Sequence, residues 1–245
     1  MTDRIRISAK NLGELALPNF CPRCFWLKLK LNNRLPFQIF PGIFSSIDAY
    51  TKNIIHSWFD RNHASPPWLS ELGELTGYIN PPHYSKFSIV IDDYDILFTG
   101  VPDGIFIRQD GSYIIVDYKT ARYTGNQDSL FPMYQVQLNG YALIGNEKGL
   151  TPINDLALIY MEPLTDKAVD IHDGNYRDNG FALGFSPKIL RVELNPSKIY
   201  PLLAQVREIY EMPSAPCCHT YCKDCESVEA LASLVNITLD KEESE

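Results

Sequence analysis

The intervals between apolar residues predict a long amphipathic helix near the start of the chain. Within residues 45–62, Ile47, Ile54 and Trp58 are separated by seven and four positions. Residues at these spacings lie on one face of a helix, and a serine at the start can cap it. Two later helices are predicted over residues 131–147, ending near Gly149, and from Pro196, which follows the capping residue Asn195, to about Glu211.

Short apolar segments bounded by turn residues predict the strands. They lie at residues 86–91, 96–101, 104–108, 113–119, 156–161 and 190–194. Residues 63–83 contain two Pro-Pro pairs and are predicted to be mainly loop, with one short helix. The order of helix, antiparallel strands, helix, strand and helix predicts an α/β fold with a mixed central sheet.

The length and composition favour one globular domain. A chain of 245 residues, 45% of them hydrophobic, can form a core without disulfide bonds. We predict a single domain over residues 1–239 and a charged, disordered tail at 240–245. No apolar run reaches the length of a membrane span, and the first residues lack the apolar core of a signal peptide. We therefore expect a cytoplasmic protein with no membrane partner.

The net charge of −8 excludes a strongly basic protein that coats DNA without sequence preference. It does not exclude an enzyme that contacts nucleic acid through a local basic region. Residues 1–35 form such a region, because seven lysines and arginines there face one aspartate and one glutamate. Basic side chains of this segment are candidates for contacts with backbone phosphates.

The six cysteines fall into two groups near the ends of the chain. A disulfide framework would spread its cysteines along a small secreted chain, which differs from this arrangement. Two Cys-x-x-Cys pairs, Cys21 with Cys24 and Cys222 with Cys225, supply four thiolates, a ligand set of tetrahedral Zn²⁺. The same four, or three of them with Cys218 as a replacement, also suit a [4Fe–4S] cluster. We predict a structural metal site that joins the two ends of the domain, with zinc and iron–sulfur both open.

Acidic and basic side chains coincide at the ends of two predicted strands. Asp117 and Lys119 share a face of a strand because side chains alternate, and Tyr118 lies on the other face. If the turn at 109–112 closes a hairpin, Asp103 lies opposite residues 117–119. Two carboxylates suit Mg²⁺ or Mn²⁺, and a neighbouring lysine can stabilise charge that develops on a phosphate. The alternative is an ordinary ion pair on the surface of a hairpin.

These residues resemble a known enzyme family. Pro102-Asp103, followed after thirteen residues by Asp117-Tyr118-Lys119, is similar to the motif of the PD-(D/E)XK nuclease superfamily. Gln137 and Tyr141 are similar to the Gln-x-x-x-Tyr motif of its RecB-like branch. Cys21-Pro22-Arg23 and the later cysteines resemble a cysteine cluster found in some members. The resemblance covers residues 20–225 in the same order.

The resemblance implies a fold, a chemistry and a role for each residue. The fold would have a restriction-endonuclease-like core, and the activity would be DNA hydrolysis of the RecB-like exonuclease type. Asp103, Asp117 and the Tyr118 carbonyl would bind Mg²⁺ or Mn²⁺, Lys119 would be the catalytic lysine, and Gln137 and Tyr141 would position the substrate or the active-site strand. Where the branch often has a metal-binding histidine on the first helix, this chain offers Asp48, with His56 as the alternative.

The expected partner is single- or double-stranded DNA, with a possible protein partner in a repair or defence complex. A second hypothesis is that the protein has the nuclease fold but no nuclease activity. In it, the protein is a catalytically inactive nuclease-like module that binds DNA or a protein and is stabilised by its cysteine metal site. A third reading is a purely structural zinc protein whose acidic residues are solvated. Metal-dependent cleavage that requires Lys119 distinguishes the first reading from the other two.

Overall fold

The structure is a computed structural model that describes residues 4–34, 41–83, 85–124, 129–165 and 175–242, with side chains described as far as residue 235. Its strands, in chain order, are β1 (Ile5–Ser8), β2 (Leu75–Ile79), β3 (Ser88–Ile91), β4 (Ile96–Thr99), β5 (Gly104–Arg108), β6 (Tyr113–Lys119), β7 (Ile153–Pro163), β8 (Tyr176–Arg177), β9 (Gly180–Phe181) and β10 (Phe185–Val192). Its α-helices are α1 (Ala9–Leu12), α2 (Pro22–Lys30), α3 (Gly42–Asn62), α4 (Phe131–Glu147), α5 (Ile199–Glu211) and α6 (Lys223–Glu242).

A five-stranded mixed sheet lies at the centre of the fold. Its strand order is β10-β7-β6-β5-β2, in which β6 and β7 are parallel and the other pairs are antiparallel. A smaller sheet with the order β1-β4-β3 is also mixed, because β1 and β4 are parallel. The prediction of an α/β fold with a mixed central sheet and flanking helices is confirmed.

The central strand β6 is buried on both faces, so it separates two apolar clusters. Ile115 points into the cluster formed with α4 and α5, whereas Ile114 and Val116 point into the cluster that contains residues of α3. Helix α4, which covers one of these faces, packs very closely against α1, since a Cβ atom on Gly140 would lie 2.7 Å from Cβ of Ala9. Packing on both sides fixes the position of β6 and of the polar residues at its end.

The three predicted helices are present, with changes at two of their starts. Helix α3 contains residues 45–62 but begins at Gly42 after Pro41, so the predicted serine cap was wrong, because the serine lies inside the helix. Helix α4 has the predicted bounds. A short 3-10 helix, Pro196–Lys198, precedes α5, so the α-helix begins three residues after the predicted start. Strands β5 and β6 also match their predicted bounds.

The interpretation of residues 63–83 as mainly loop was wrong in part. The short helix is present as the 3-10 helix Pro67–Leu72, but residues 75–79 form strand β2. Strand β2 lies at the edge of the central sheet, and its register with β5 shifts between Leu75 and Gly77. An edge strand with a glycine and an irregular register has a weak alternation pattern, which explains the error.

The C-terminal region contains a helix that the pattern of apolar residues does not predict. Helix α6 extends to Glu242, and residues 243–245 lie outside the described residues. The disordered tail at 240–245 and the single domain over 1–239 therefore stay predictions. Among the described residues, no helix combines the length and apolar character needed to cross a membrane.

Candidate active site and cysteine cluster

The β5–β6 hairpin brings the two predicted aspartates together. Gly104 pairs with Val116, and extending this register by one residue places Asp103 opposite Asp117. The backbone N–H of Tyr118 donates a hydrogen bond to Asp103 Oδ2 at 2.9 Å. Asp103 therefore lies opposite residues 117–119, as the turn at 109–112 predicts.

These strand ends open into a cleft of about 580 Å³ between α3, the central sheet and α4. Helix α3 contributes Asp48, and α4 contributes Gln137 and Tyr141. The predicted site residues that line the cleft are Asp48, Asp103, Asp117, Tyr118, Lys119, Gln137 and Tyr141. Residues far apart in the sequence thus share one solvent-connected space.

Asp117 is the most buried carboxylate of the cleft, with 3% of its surface exposed. Lys119 Nζ forms an ion pair with Asp117 Oδ2 at 2.5 Å. Burial raises the pKa of Asp117 to about 7, Lys119 opposes this effect, and the charge of Asp103 adds to it. A buried carboxylate whose pKa is raised in this way is strongly stabilised in its charged form by a bound cation.

Helix α4 fixes the other oxygen of Asp117. Gln137 Nε2 donates to Asp117 Oδ1 at 2.8 Å and to the Tyr141 hydroxyl at 2.7 Å. Among the described residues, no group donates to Gln137 Oε1, which is also buried. Tyr141 can approach the sheet because residue 100 is a glycine, where a Cβ atom would lie 2.7 Å from the tyrosine ring. Gln137 therefore orients Asp117 directly, and Tyr141 contacts Gln137.

Lys52 is a site residue that the sequence analysis missed. Its Nζ lies 2.8 Å from Asp48 Oδ2 and 2.7 Å from Asp103 Oδ1. Burial lowers the pKa of Lys52, but the two carboxylates outweigh this effect and raise it. The spacing of four residues between Asp48 and Lys52 on a helix indicates the first contact, whereas nothing local in the sequence indicates the second.

His56 lies outside the residues that line the cleft. Its ring stacks on that of Tyr78, with centroids 3.9 Å apart and planes 7° apart. Burial lowers the pKa of His56, which favours the neutral ring in this packed position. The structure therefore places Asp48, and not His56, beside Asp103, and the role of Asp48 as a metal ligand stays a prediction.

The basic N-terminal segment is largely engaged within the molecule. Arg4 forms an ion pair with Asp95, and Lys28 forms one with Glu14. Lys10 differs, because it lines the cleft. Of the basic residues predicted to contact phosphates, Lys10 has the position closest to the candidate site.

The four predicted thiols converge into a single cluster between α2 and α6. The sulfur atoms of Cys21, Cys24, Cys222 and Cys225 all lie within 4.8 Å of one another. The Sγ–Sγ distance is 3.4 Å from Cys24 to Cys225 and 3.6 Å from Cys21 to Cys225. This group could hold a metal ion, and it joins the two ends of the chain as predicted. Cys218 is exposed and lies outside it, so the four-thiol set needs no replacement.

Contacts around the cluster hold the C-terminal segment against α2. The backbone N–H of His219 donates to Cys21 Sγ at 3.3 Å, and Arg23 Nε donates to the carbonyl of Pro216 at 3.0 Å. Burial is the largest influence on the pKa of Cys21 and raises it. Hydrogen bonds from the Cys24 and His219 amides and from neighbouring thiols outweigh burial and lower this pKa to about 6. The surroundings of Cys21 thus favour its thiolate, whereas burial raises the pKa of Cys24 and of Cys225, so these two thiols lose their protons only with the help of a cation.

Comparison with known proteins identifies the family. A family model described as the PD-(D/E)XK nuclease superfamily matches residues 47–229. No curated protein matches the sequence. A solved structure titled "Crystal structure of SSO0001" is similar at 14% identity and a TM-score of 0.41, over 87% of this chain and 80% of that one. The family match covers most of the chain and includes Asp103, Asp117 and Lys119 in their shared cleft, so the protein belongs to the PD-(D/E)XK nuclease superfamily.

Proposed function

We propose that this protein is a divalent-metal-dependent DNA nuclease of the RecB-like exonuclease type. The observation that carries the proposal is the convergence of Asp103, Asp117 and Lys119 at one end of a buried hairpin, inside one cleft. The superfamily is typically a metal-dependent phosphodiesterase, which agrees with this set of side chains. The hydrogen bonds from Gln137 to Asp117 and Tyr141 support the assignment to the RecB-like branch.

The residues present fit a Mg²⁺ or Mn²⁺ ion. Asp103 and Asp48 already share one cationic atom, Lys52 Nζ, so their oxygens can approach a single ion. Asp117 Oδ2, which is paired with Lys119, would be a further ligand together with the Tyr118 carbonyl. Hard oxygen ligands of this kind match both metals. When bound, the metal would supply Lewis-acid polarisation of the phosphate and acidify a bound water.

The chain itself supplies the remaining functions. Lys119 is held at the cleft by Asp117 and by the face of the Tyr134 ring, 4.2 Å from its Nζ. A cation held there can stabilise the negative charge that develops on a phosphate. Gln137 and Tyr141 keep Asp117 in one orientation, which reduces the reorganisation needed when substrate arrives.

The first test is cleavage of end-labelled single- and double-stranded DNA with Mg²⁺ or Mn²⁺. We expect cleavage by the wild type and a loss of at least about 10²-fold in Lys119→Met, the scale of removing one charge-stabilising group. Lys198→Met is the control, because Lys198 pairs with Glu193 and does not line the cleft. Product lengths distinguish exonuclease from endonuclease action.

A folded wild-type protein that cleaves neither substrate would contradict the nuclease proposal. It would favour the inactive module that binds DNA or a protein. Equal cleavage by Lys119→Met and wild type would remove Lys119 from the proposed chemistry. The expected protein partner in a repair or defence complex stays a prediction of the sequence analysis.

We further propose that the four-cysteine cluster binds zinc and not an iron–sulfur cluster. One tetrahedral ion with Zn–S bonds of about 2.3 Å places its sulfurs about 3.8 Å apart. The contacts at 3.4 Å, 3.5 Å and 3.6 Å in this cluster are close to that spacing. In a [4Fe–4S] cluster each thiolate binds a different iron, which separates the sulfurs more widely. The compact cluster therefore favours one ion.

Metal analysis of protein purified without oxygen tests the zinc assignment. We expect one zinc per chain by elemental mass spectrometry and no visible charge-transfer absorption. The Cys218→Ser variant should retain the zinc, because Cys218 lies outside the cluster. Stoichiometric iron with visible absorption would overturn the assignment in favour of an iron–sulfur cluster.

A further inference from the structure

We propose that Lys52 occupies the cation position of the active site in the metal-free protein, so that a divalent ion must displace its ammonium group in order to bind. The inference rests on the proposed function, because it assumes that Asp48 and Asp103 are metal ligands. Lys52 is then a positioning residue: it sets the metal affinity without itself reacting.

The two carboxylate oxygens of Asp103 have different kinds of contact. Its Oδ2 accepts a hydrogen bond from the Tyr118 amide at 2.9 Å, a contact made by the backbone of β6. Its Oδ1 lies 2.7 Å from Lys52 Nζ. The backbone contact is fixed by the sheet, whereas the lysine is a flexible side chain on another element. Oδ1 is therefore the oxygen that a metal would take, and Lys52 holds it.

Lys52 also contacts Asp48, so it bridges two carboxylates. Lys52 Nζ lies 2.8 Å from Asp48 Oδ2, so one ammonium joins a carboxylate of α3 to the carboxylate that immediately precedes β5. The lysine side chain is 27% exposed, which allows its long stem to move towards solvent. A bridge between two carboxylates from separate elements is what a metal ion at this site would also provide.

The charge balance predicts the direction of the effect. Without Lys52, the carboxylates of Asp48, Asp103 and Asp117 repel one another, and Lys119 remains as the cation in contact with Asp117. A divalent ion relieves that repulsion and no longer competes with an ammonium at Asp103. Lys52→Met should therefore lower the melting temperature of the metal-free protein and lower the Kd for Mn²⁺ at least about tenfold.

The experiment measures Mn²⁺ binding by electron paramagnetic resonance and thermal shift, using zinc-loaded protein. The cysteine site competes little, because Mn²⁺ prefers oxygen ligands to thiolates. Lys28→Met is the matched control, since Lys28 also forms a 2.7 Å ion pair and is 26% exposed. Lys52→Arg keeps a cation at the position and should bind Mn²⁺ no more tightly than the wild type. Lys52→Gln provides a second neutral variant in case the methionine variant does not fold.

The possible outcomes separate this inference from the proposed function. Tighter Mn²⁺ binding in Lys52→Met or Lys52→Gln, but not in Lys52→Arg or Lys28→Met, supports the inference. Unchanged or weaker binding in the neutral variants, with normal binding by the wild type, overturns it and leaves the proposed metal site intact. Absence of binding in the wild type and in both neutral variants overturns the metal site as well.

Discussion

Asp117→Asn is expected to abolish metal-dependent cleavage, with a loss of at least about 10³-fold, the effect of removing a charged ligand from a catalytic metal site. Asparagine has nearly the same shape and can keep the contact with Gln137, so the cleft should remain assembled. The charge that would attract the metal to the most buried position is lost. The measurement is single-turnover cleavage of end-labelled DNA with Mg²⁺ or Mn²⁺.

The same substitution should change how stability depends on pH in the absence of Mg²⁺ and Mn²⁺. The folded pKa of Asp117, about 7, lies above the ordinary value of 3.8, so the folded state retains a proton that the unfolded chain loses. The contribution of this group to stability is therefore complete below about pH 4 and is lost as pH rises through 7. Asparagine cannot ionise, so we expect the free energy of unfolding of Asp117→Asn to fall less than that of the wild type as the pH rises.

Urea denaturation at pH 5 and pH 8 measures the difference, with Asp110→Asn as the control. Asp110 lies in the turn of the same hairpin but outside the cleft, and hydrogen bonds from Ser112 lower its pKa. The control should cleave DNA like the wild type. Like the wild type, it should also be less stable at pH 8 than at pH 5. Cleavage by Asp117→Asn at the wild-type rate would exclude Asp117 from the proposed metal site.

The hairpin illustrates what local sequence can predict. A turn at 109–112 and the alternation of side chains are enough to place Asp103 opposite Asp117 and Lys119 on the same face as Asp117. The relative positions of these three side chains depend only on a short hairpin that is continuous in the sequence. The helix that carries Gln137 and Tyr141 is also predictable locally, because it is one segment of 17 residues that ends close to Gly149.

Lys52 shows where that reasoning ends. Its contact with Asp103 joins residues 51 positions apart, on a helix and a sheet whose relative placement depends on the packing of the whole core. Strand β2 was missed for a similar reason, since it forms by pairing with β5 and its own pattern is weak. The choice among the six cysteines also depends on tertiary structure, which brings α2 against α6 and leaves Cys218 exposed.

Cys225→Ser should remove the bound metal and release the C-terminal segment from α2. Cys225 is 3% exposed and lies 3.6 Å from Cys21 and 3.4 Å from Cys24, so serine would leave one ligand position of a buried ion poorly filled. Binding of a structural metal contributes directly to folding free energy. A loss of several kcal/mol would lower the melting temperature by about 10 °C in a chain of this size.

The physical reason for a large effect is that the other polar contacts of the described residues at this junction are weak. The side chain of Arg23 is paired with Glu229 and the Pro216 carbonyl, but the Glu229 side chain is 64% exposed, and such pairs contribute little. Trp26 adds one hydrogen bond, from its indole N–H to the Met212 carbonyl at 3.3 Å. Without the metal, the segment that leads into α6 and α6 itself are held less firmly against α2.

Differential scanning fluorimetry, metal analysis and limited proteolysis together test this prediction. We expect lost metal, a lower melting temperature and rapid cleavage in the segment between α5 and α6. Cys217→Ser is the matched control, because Cys217 is exposed and does not belong to the cluster, and it should behave like the wild type in all three assays. Wild-type stability and proteolysis in a metal-free Cys225→Ser protein would show that the metal does not hold the two ends of the chain together.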